Sequence, residues 1–176
     1  MALRKILTEP NRVLRQKSLP VEKVDEDLRR LMDDMLETMY AAPGIGLAAI
    51  QVGIPKRVIV IDIAHRDKEG KKDPMFFVNP EVIDKSKNNS TYEEGCLSVP
   101  GQFAEIDRPD ECHVKYLDYY GEQKELKAKG MIATCIQHEI DHLEGILFID
   151  YLSKLKKTMI IKKLSKQKKQ LERIVV

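Results

Sequence analysis

The sequence predicts an α+β fold: antiparallel strands packed around a central helix, with a further helix at the C terminus. Three observations carry this expectation. Apolar residues recur at helical spacing in three separate stretches. Short β-branched and aromatic runs lie between them, and one pair of runs has the signature of an antiparallel hairpin. No internal repeat or linker divides the 176 residues, so 1–176 are expected to form a single domain that includes a basic C-terminal helix over 152–173.

Each element has its own local cause. In VDEDLRRLMDDMLETMYAA (24–42), Leu28, Leu31, Met32, Met35, Leu36 and Met39 follow i, i+3, i+4, i+7 spacing. This predicts an amphipathic helix with Asp25 as N-cap and Pro43-Gly44 as its stop. RVIVID (57–62) and MFFVN (75–79) read as buried strands, and HRDKEGKKDP (65–74) between them as a solvated loop. YEEGCLSVPG (92–101), with Gly95 before its cysteine and Pro100-Gly101 after it, reads as a turn-like segment. CHVKYLD (112–118) and EQKELKAKG (122–130), joined through Tyr120-Gly121, predict an antiparallel hairpin. A second helix is expected over 131–144, ended by Gly145, and a third over 152–172.

Composition narrows the classes of function. Contents of 43% hydrophobic and 33% charged residues describe a globular chain rather than a disordered or fibrous one. No run approaches the roughly 18 apolar residues of a membrane span. MALRKILTEP lacks the apolar stretch of a signal peptide, so a cytoplasmic protein without a membrane partner is expected. Three cysteines suggest no disulfide framework, and in a reducing compartment a cysteine that matters acts as a thiolate. The net charge of +2 conceals an asymmetry, with +8 on residues 153–173 and −6 on the rest.

The central helix carries the chemistry. ATCIQHEIDHLEGILF (133–148) sets His138 and His142 four residues apart around Glu139. Positions i and i+4 lie about 40° apart around a helix, so two imidazoles can take adjacent corners of a metal ion while Glu139 stands beside it as a base. HExxH is a short pattern and also occurs on ordinary helices. Here Ile136, Ile140, Leu143 and Ile146 make the flanks apolar, and burying the cluster without a metal or partners would be costly. A third ligand is needed. Phe148 stands where one protease class has a third histidine, Glu144 is too close, and Glu172 lies in the basic tail. Cys135 is about 10 Å along the axis from His142, too far to share the ion. Cys112 and His113 lie in a strand pattern, which leaves Cys96; the competing reading of Cys96 is a buried structural cysteine. In GIGLAAIQVG (44–53), small residues let backbone approach a ligand, and Gln51 offers an amide donor for an oxyanion. The plain alternative there is a helix stop and a strand lead-in.

Three motifs together resemble the peptide deformylases. They are Gly44-Ile45-Gly46-Leu47-Ala48-Ala49-Ile50-Gln51, Glu94-Gly95-Cys96-Leu97-Ser98 and Gln137-His138-Glu139-Ile140-Asp141-His142, complete and in the family's order. The resemblance implies removal of formate from the N-formylmethionine of nascent peptides. It implies Cys96, His138 and His142 as ligands of one divalent metal, with Glu139 as general base and then acid. Gln51 and the Leu97 N–H would stabilise the oxyanion. The backbone of Ile45, Gly46 and Gly95 would align the peptide as a strand. Ile45, Glu94, Met131, Thr134, Cys135 and His138 would enclose the methionine side chain, and Asp141 with Arg108 would brace the metal helix. Relatives carry an arginine seven residues after the metal cysteine; here that position is Phe103, expected to offer an aromatic wall instead.

A thiolate-bearing site suits iron(II), cobalt, nickel or zinc, and the resemblance favours iron(II). It also implies, for some relatives, that a basic tail binds ribosomal RNA; the alternative is a helix kept soluble by its lysines. No DNA partner is expected, and the chain is expected to act as a monomer. The rival classes are a zinc endopeptidase, which would lack its third ligand here, and a structural zinc domain, in which Glu139 would be surplus.

Overall fold

The computed structural model describes residues 1–174; the expected domain runs to 176, and its last two residues lie outside the described ones. Helix α1 spans Glu26–Ala41 and begins where expected, with the Asp25 carboxylate accepting the Leu28 N–H at 2.9 Å. Strands β1 (Gly46–Ala48), β2 (Val58–Ile61) and β3 (Met75–Lys85) follow. Next come β4 (Asn89–Cys96), β5 (Val99–Pro109), β6 (Glu111–Leu117) and β7 (Gln123–Lys129). Helix α2 covers Met131–Leu143 and α3 covers Lys154–Ile174. All pairings between named strands are antiparallel, in one sheet of order β1-β2-β3-β6-β7 and a separate β4-β5 hairpin. The α+β expectation holds, and α2 packs against β1, β2, β5, β6 and β7.

Strand β2 shows why the core forms around it. Val58-Ile59-Val60-Ile61 is wholly buried, because successive side chains point to opposite faces and both faces are covered. Ile59 and Ile61 pack with Phe77, Val114, Ala133 and Ile136 on the side of α2. Val58 and Val60 pack with Met32, Met35 and Met39 of α1. An uninterrupted apolar run is therefore required here. β7 alternates lysine and glutamate outward with Leu126 and Ala128 inward, as a strand solvated on one face must.

Two expectations are corrected. Residues 92–101 are not a free turn: they are the end of β4, a tight reversal at Leu97-Ser98 and the start of β5. The hairpin escapes sequence reasoning because its strands are rich in glutamate, serine and glycine, and its inward residues meet a third apolar cluster distant in sequence. That cluster joins Val99 and Ile106 to Leu147, Phe148, Ile149 and Leu164. The second correction concerns α3. Of its helically spaced apolar residues Leu152, Leu155, Met159 and Leu164, the first and last pack into the third cluster while Leu155 is 71% and Met159 61% exposed, and the helix docks through Ile160, Ile161 and Leu164.

The ends of the chain are tied together at Asp150. Its carboxylate accepts from Arg15 at 2.6 Å, pairs with Lys157 at 2.7 Å and caps the Leu147 N–H at 3.0 Å, while Arg15 also pairs with Glu9 at 3.0 Å. Burial pushes the Asp150 carboxyl up, but bonds from Lys157, Leu147 and Arg15 outweigh it and hold the group below the usual carboxylate range. A depressed folded value stabilises the fold fully above the unfolded carboxylate pKa near 4, and the gain is lost as pH falls through the lower folded value. Asp150→Asn is expected to lower unfolding free energy by about 1–3 kcal/mol at neutral pH, with the difference from wild type shrinking in acid. Urea denaturation at pH 7 and pH 3 reads both; an equal deficit at the two values would remove the ionic explanation.

Candidate active site

Helix α2 sets the site. His138 and His142 share one face a single turn apart, and Cys96, the last residue of β4, meets them from the hairpin. One donor atom from each of the three lies within 4.8 Å of the others, with Cys96 Sγ 3.3 Å from His142 Nε2. Both histidines are buried and Cys96 is partly so. The His138 Nδ1 is held by Glu94 at 2.8 Å, which leaves Nε2 to face the thiolate position.

Behind His138 stands a buried ionic network. The Arg108 guanidinium, 4% exposed, forms two parallel bonds to Glu94, at 2.7 and 3.0 Å, and a third to Asp141 at 2.9 Å. Asp141 also accepts from the Tyr151 hydroxyl at 2.7 Å, and the guanidinium lies 4.9 Å over the Tyr151 ring. The electrostatics separate the two imidazoles. Burial pulls His138 down, but bonds from Cys96 and Glu94 outweigh it and raise it well above an ordinary histidine. His142 is driven well below by burial and by the charges of His138 and Arg108.

Glu139 completes the cluster. Its carboxyl is pushed up to about 7 by burial, against the opposing charge of His138. Its Oε2 is buried without a hydrogen-bond partner among the described residues, and Oε1 lies so close to Gly46 that any Cβ there would collide with it. Gln51 approaches from the opposite wall. Its Oε1 accepts the Ala48 N–H at 2.9 Å, which orients Nε2 toward Ser98 Oγ at 3.0 Å and Cys96 Sγ at 3.5 Å. A thiolate, two imidazoles and an unsatisfied carboxylate oxygen beside them fit a single divalent ion.

A cleft of about 620 Å³ opens over this cluster. Of the expected site residues, Gln51, Leu97, Glu139, Ile45, Gly46, Glu94, Gly95, Phe103, Met131, Thr134, Cys135, Cys96 and His138 all line it, and His142 lies buried beneath. Glu94 differs from expectation in one respect: its carboxylate is consumed by Arg108 and His138, so it braces the imidazole as well as lining the cleft. Burial raises the Cys135 thiol well above its usual value, which keeps it a neutral, apolar wall.

Comparison with known proteins agrees with this geometry. The family model for polypeptide deformylase matches residues 3–158. The chain belongs to the polypeptide deformylase family. Such enzymes are hydrolases that use a divalent metal to remove the N-terminal formyl group from nascent polypeptides. A peptide deformylase of Pelagibacter ubique is 68% identical over 176 residues, covering 100% of both chains. One from Maricaulis maris is 60% identical, covering 98% of each. The actinonin complex of the Ehrlichia chaffeensis deformylase superposes with a TM-score of 0.90 at 45% identity, over 95% of this chain and 98% of that one. A Met-Ala-Ser-bound deformylase of Acinetobacter baumannii gives 0.80 at 34%, over 86% and 99%.

Sequence reasoning about this deformylase missed three residues. Ser98 positions the Gln51 amide and Tyr151 closes the Arg108 network; Arg66 lines the cleft from the 64–73 loop. Ser98 and Glu94 sit inside a motif that was already singled out, so their roles lacked only a partner. Tyr151 and Arg66 have no local signal. Glu94→Gln should keep the shape and remove the charge facing His138 and Arg108. Metal affinity is expected to fall about 10–100-fold. Stability should fall by several kcal/mol, about 3–5 if the guanidinium is left unpaired. Competition with a graded chelator and thermal unfolding read the two effects; unchanged metal affinity would remove the bracing role.

Proposed function

We propose that this chain releases formate from N-formylmethionyl nascent peptides, with Cys96, His138 and His142 holding one divalent ion. The observation that carries the proposal is the convergence of those three donors beside the unpartnered buried oxygen of Glu139. When bound, the ion supplies Lewis acidity toward the formyl carbonyl and acidifies a water molecule. Glu139 takes a proton from the attacking water through its free Oε2 and delivers it to the departing amine nitrogen. The Gln51 amide, fixed by Ala48, and the Leu97 N–H donate to the oxygen that gains charge; one such donor is worth about 10²–10³-fold in rate.

The peptide itself adds to a sheet edge. Among the described residues β1 pairs with β2 alone, Ile45 and Gly46 line the cleft, and Gly46 brings that backbone against Glu139. We propose that Ile45 and Gly46 on one side and Gly95 on the other align the substrate as a strand. Ile45, Met131, Thr134, Cys135 and the edge of Glu94 then enclose the methionine side chain, and Phe103 forms an outer wall. We propose that the Gly44–Gly46 backbone closes the far side of the formyl carbon against an acetyl methyl group: a 1 Å misplacement of the reacting carbon costs on the order of 10²-fold in rate. A strip this tight also suits a chain end rather than an internal peptide bond.

Finer readings belong to the same proposal. The donor set admits iron(II), zinc, nickel or cobalt, and the family resemblance favours iron(II); metal analysis of anaerobically isolated protein reads it. We place the active monomer in the cytoplasm; among the described residues, no helix is long and apolar enough to cross a membrane. The exposed lysines of α3 form the surface proposed to meet ribosomal RNA.

Metal-loaded protein should release formate from formyl-Met-Ala-Ser and leave acetyl-Met-Ala-Ser essentially intact. Glu139→Ala should retain its metal while losing several orders of magnitude in kcat, whereas Cys96→Ala should lose the metal too. A ratio of kcat/KM near one for the two peptides would make the chain a general amidase. For the tail, charge reversal suits better than truncation, because Leu164 is core. Reversing Lys162, Lys163, Lys166 and Lys169 to Glu should abolish low-salt co-sedimentation with ribosomes and leave peptide turnover intact. Persistent, salt-insensitive co-sedimentation would discard the electrostatic reading.

A further inference from the structure

The loop joining β2 to β3 is long and highly charged, yet one end of it is locked to the substrate-facing strand. Asp62, buried at the exit of β2, holds it. Its N–H donates to the Ile45 carbonyl at 2.9 Å. Its carboxylate accepts the His65 N–H at 3.0 Å, the Tyr40 hydroxyl at 2.6 Å and the Asp73 N–H at 3.0 Å, so both ends of the loop are gripped by one side chain. The His65 ring packs edge-on against Tyr40 and places Nε2 2.7 Å from the Gly44 carbonyl. A carbonyl only accepts, so that nitrogen carries the proton. The short 3-10 turn Ala64–Arg66 is thereby fixed against the residues that precede β1.

The result is the placement of Arg66. It is exposed, lines the same cleft as Gly44, Ile45, Cys96 and Glu139, and makes no ion pair among the described residues. No other lysine or arginine lines that cleft among the described residues; of its carboxylates Glu94 is already neutralised by Arg108, Glu139 is buried at the cluster, and Glu93 is exposed on the β4 wall. A peptide laid along β1 with its formyl group beside Gly46 reaches Gly44 two residues further on, roughly 6.6–6.8 Å away. Arg66 directly follows His65, which is bound to the Gly44 carbonyl, and lines the cleft.

We propose that the Ala64–Arg66 turn determines specificity downstream of methionine: Arg66 favours formyl-peptides with a carboxylate side chain at the third residue, and His65 is the positioning residue that holds the turn to Gly44. The proposal rests on the reading of residues 45–46 as the peptide clamp. An exposed ion pair of this kind is worth a small factor, so attraction to aspartate and repulsion of lysine together give about a 3- to 10-fold preference. The effect resides in KM, because Arg66 is remote from the formyl carbon, and it weakens with salt.

The test compares C-terminally amidated formyl-Met-Ala-Asp-Ala and formyl-Met-Ala-Lys-Ala on the metal-loaded full chain. Wild type should show the aspartate preference in kcat/KM at low salt and lose most of it at about 0.5 M salt. Arg66→Gln should bring the ratio close to one, and Arg66→Glu should invert it. His65→Ala should raise KM for both peptides and shrink the preference, with kcat nearly constant, and His65→Gln, whose amide N–H reaches the same carbonyl, should restore both. The same Asp/Lys ratio in wild type, Arg66→Gln and Arg66→Glu would overturn the role of Arg66. A His65→Ala enzyme with wild-type KM would overturn the positioning role. Absence of formate release from every formyl peptide by wild type is a different result, which would remove the proposed function itself.

Discussion

The site depends on one buried cation. Arg108 is almost fully removed from water, a position no guanidinium occupies without compensation. Glu94 and Asp141 supply it, the first through two parallel bonds and the second through one. Three elements are joined by this arrangement, since Arg108 lies on β5, Glu94 on β4 and Asp141 on α2. Glu94 then spends its Oε1 a second time on His138, which fixes the ring about its other nitrogen. The orientation of one proposed metal ligand is therefore set by the same charge balance that docks the hairpin on the helix. Stability and chemistry cannot be varied independently here.

The second constraint is backbone proximity. The wall opposite the cluster is an edge strand of three residues, and its glycine at 46 allows main chain to approach the Glu139 carboxylate more closely than any side chain would permit. An edge strand exposes unpaired N–H and C=O groups and is a liability in most folds. Here the hairpin β4–β5 covers the far side, so the edge opens into a cleft rather than onto bulk water. A binding mode that uses main-chain bonds suits a substrate class whose side chains beyond methionine vary with every polypeptide. The charged loop fastened by Asp62 and His65 adds selectivity at the margin of that mode.

The cysteines divide along the same lines. Cys96 sits where the hairpin reverses, its sulfur accepting from the Ser98 N–H at 3.4 Å and reached by Gln51. Cys135 is enclosed by α2 and the Ile45 carbonyl, where burial holds it as a thiol. Two residues of one type line one cleft with different partners: Cys96 meets His142 and Gln51, whereas Cys135 meets the Ile45 carbonyl.

The sequence by itself determined the elements whose causes are local. Helix α1 begins at Asp25 because the cap and the apolar period are both written within a few residues, and β2 is buried on two faces because its run is unbroken. The three motifs identified the family, and spacing alone put His138 and His142 on one face with Glu139 beside them. Only tertiary structure decided the rest. The β4–β5 hairpin is polar in sequence and forms because Val99 and Ile106 meet Leu147, Phe148 and Leu164 from more than forty positions away. The packed face of α3 follows from the same cluster and not from its own period. Glu94 braces His138, Tyr151 closes on Asp141, and His65 reaches Gly44 across 21 positions, because each needs a partner that folding brings near. Local rules reach about one helical turn or one strand pairing; the charge balance and the shape of a cleft are properties of groups that touch only in three dimensions.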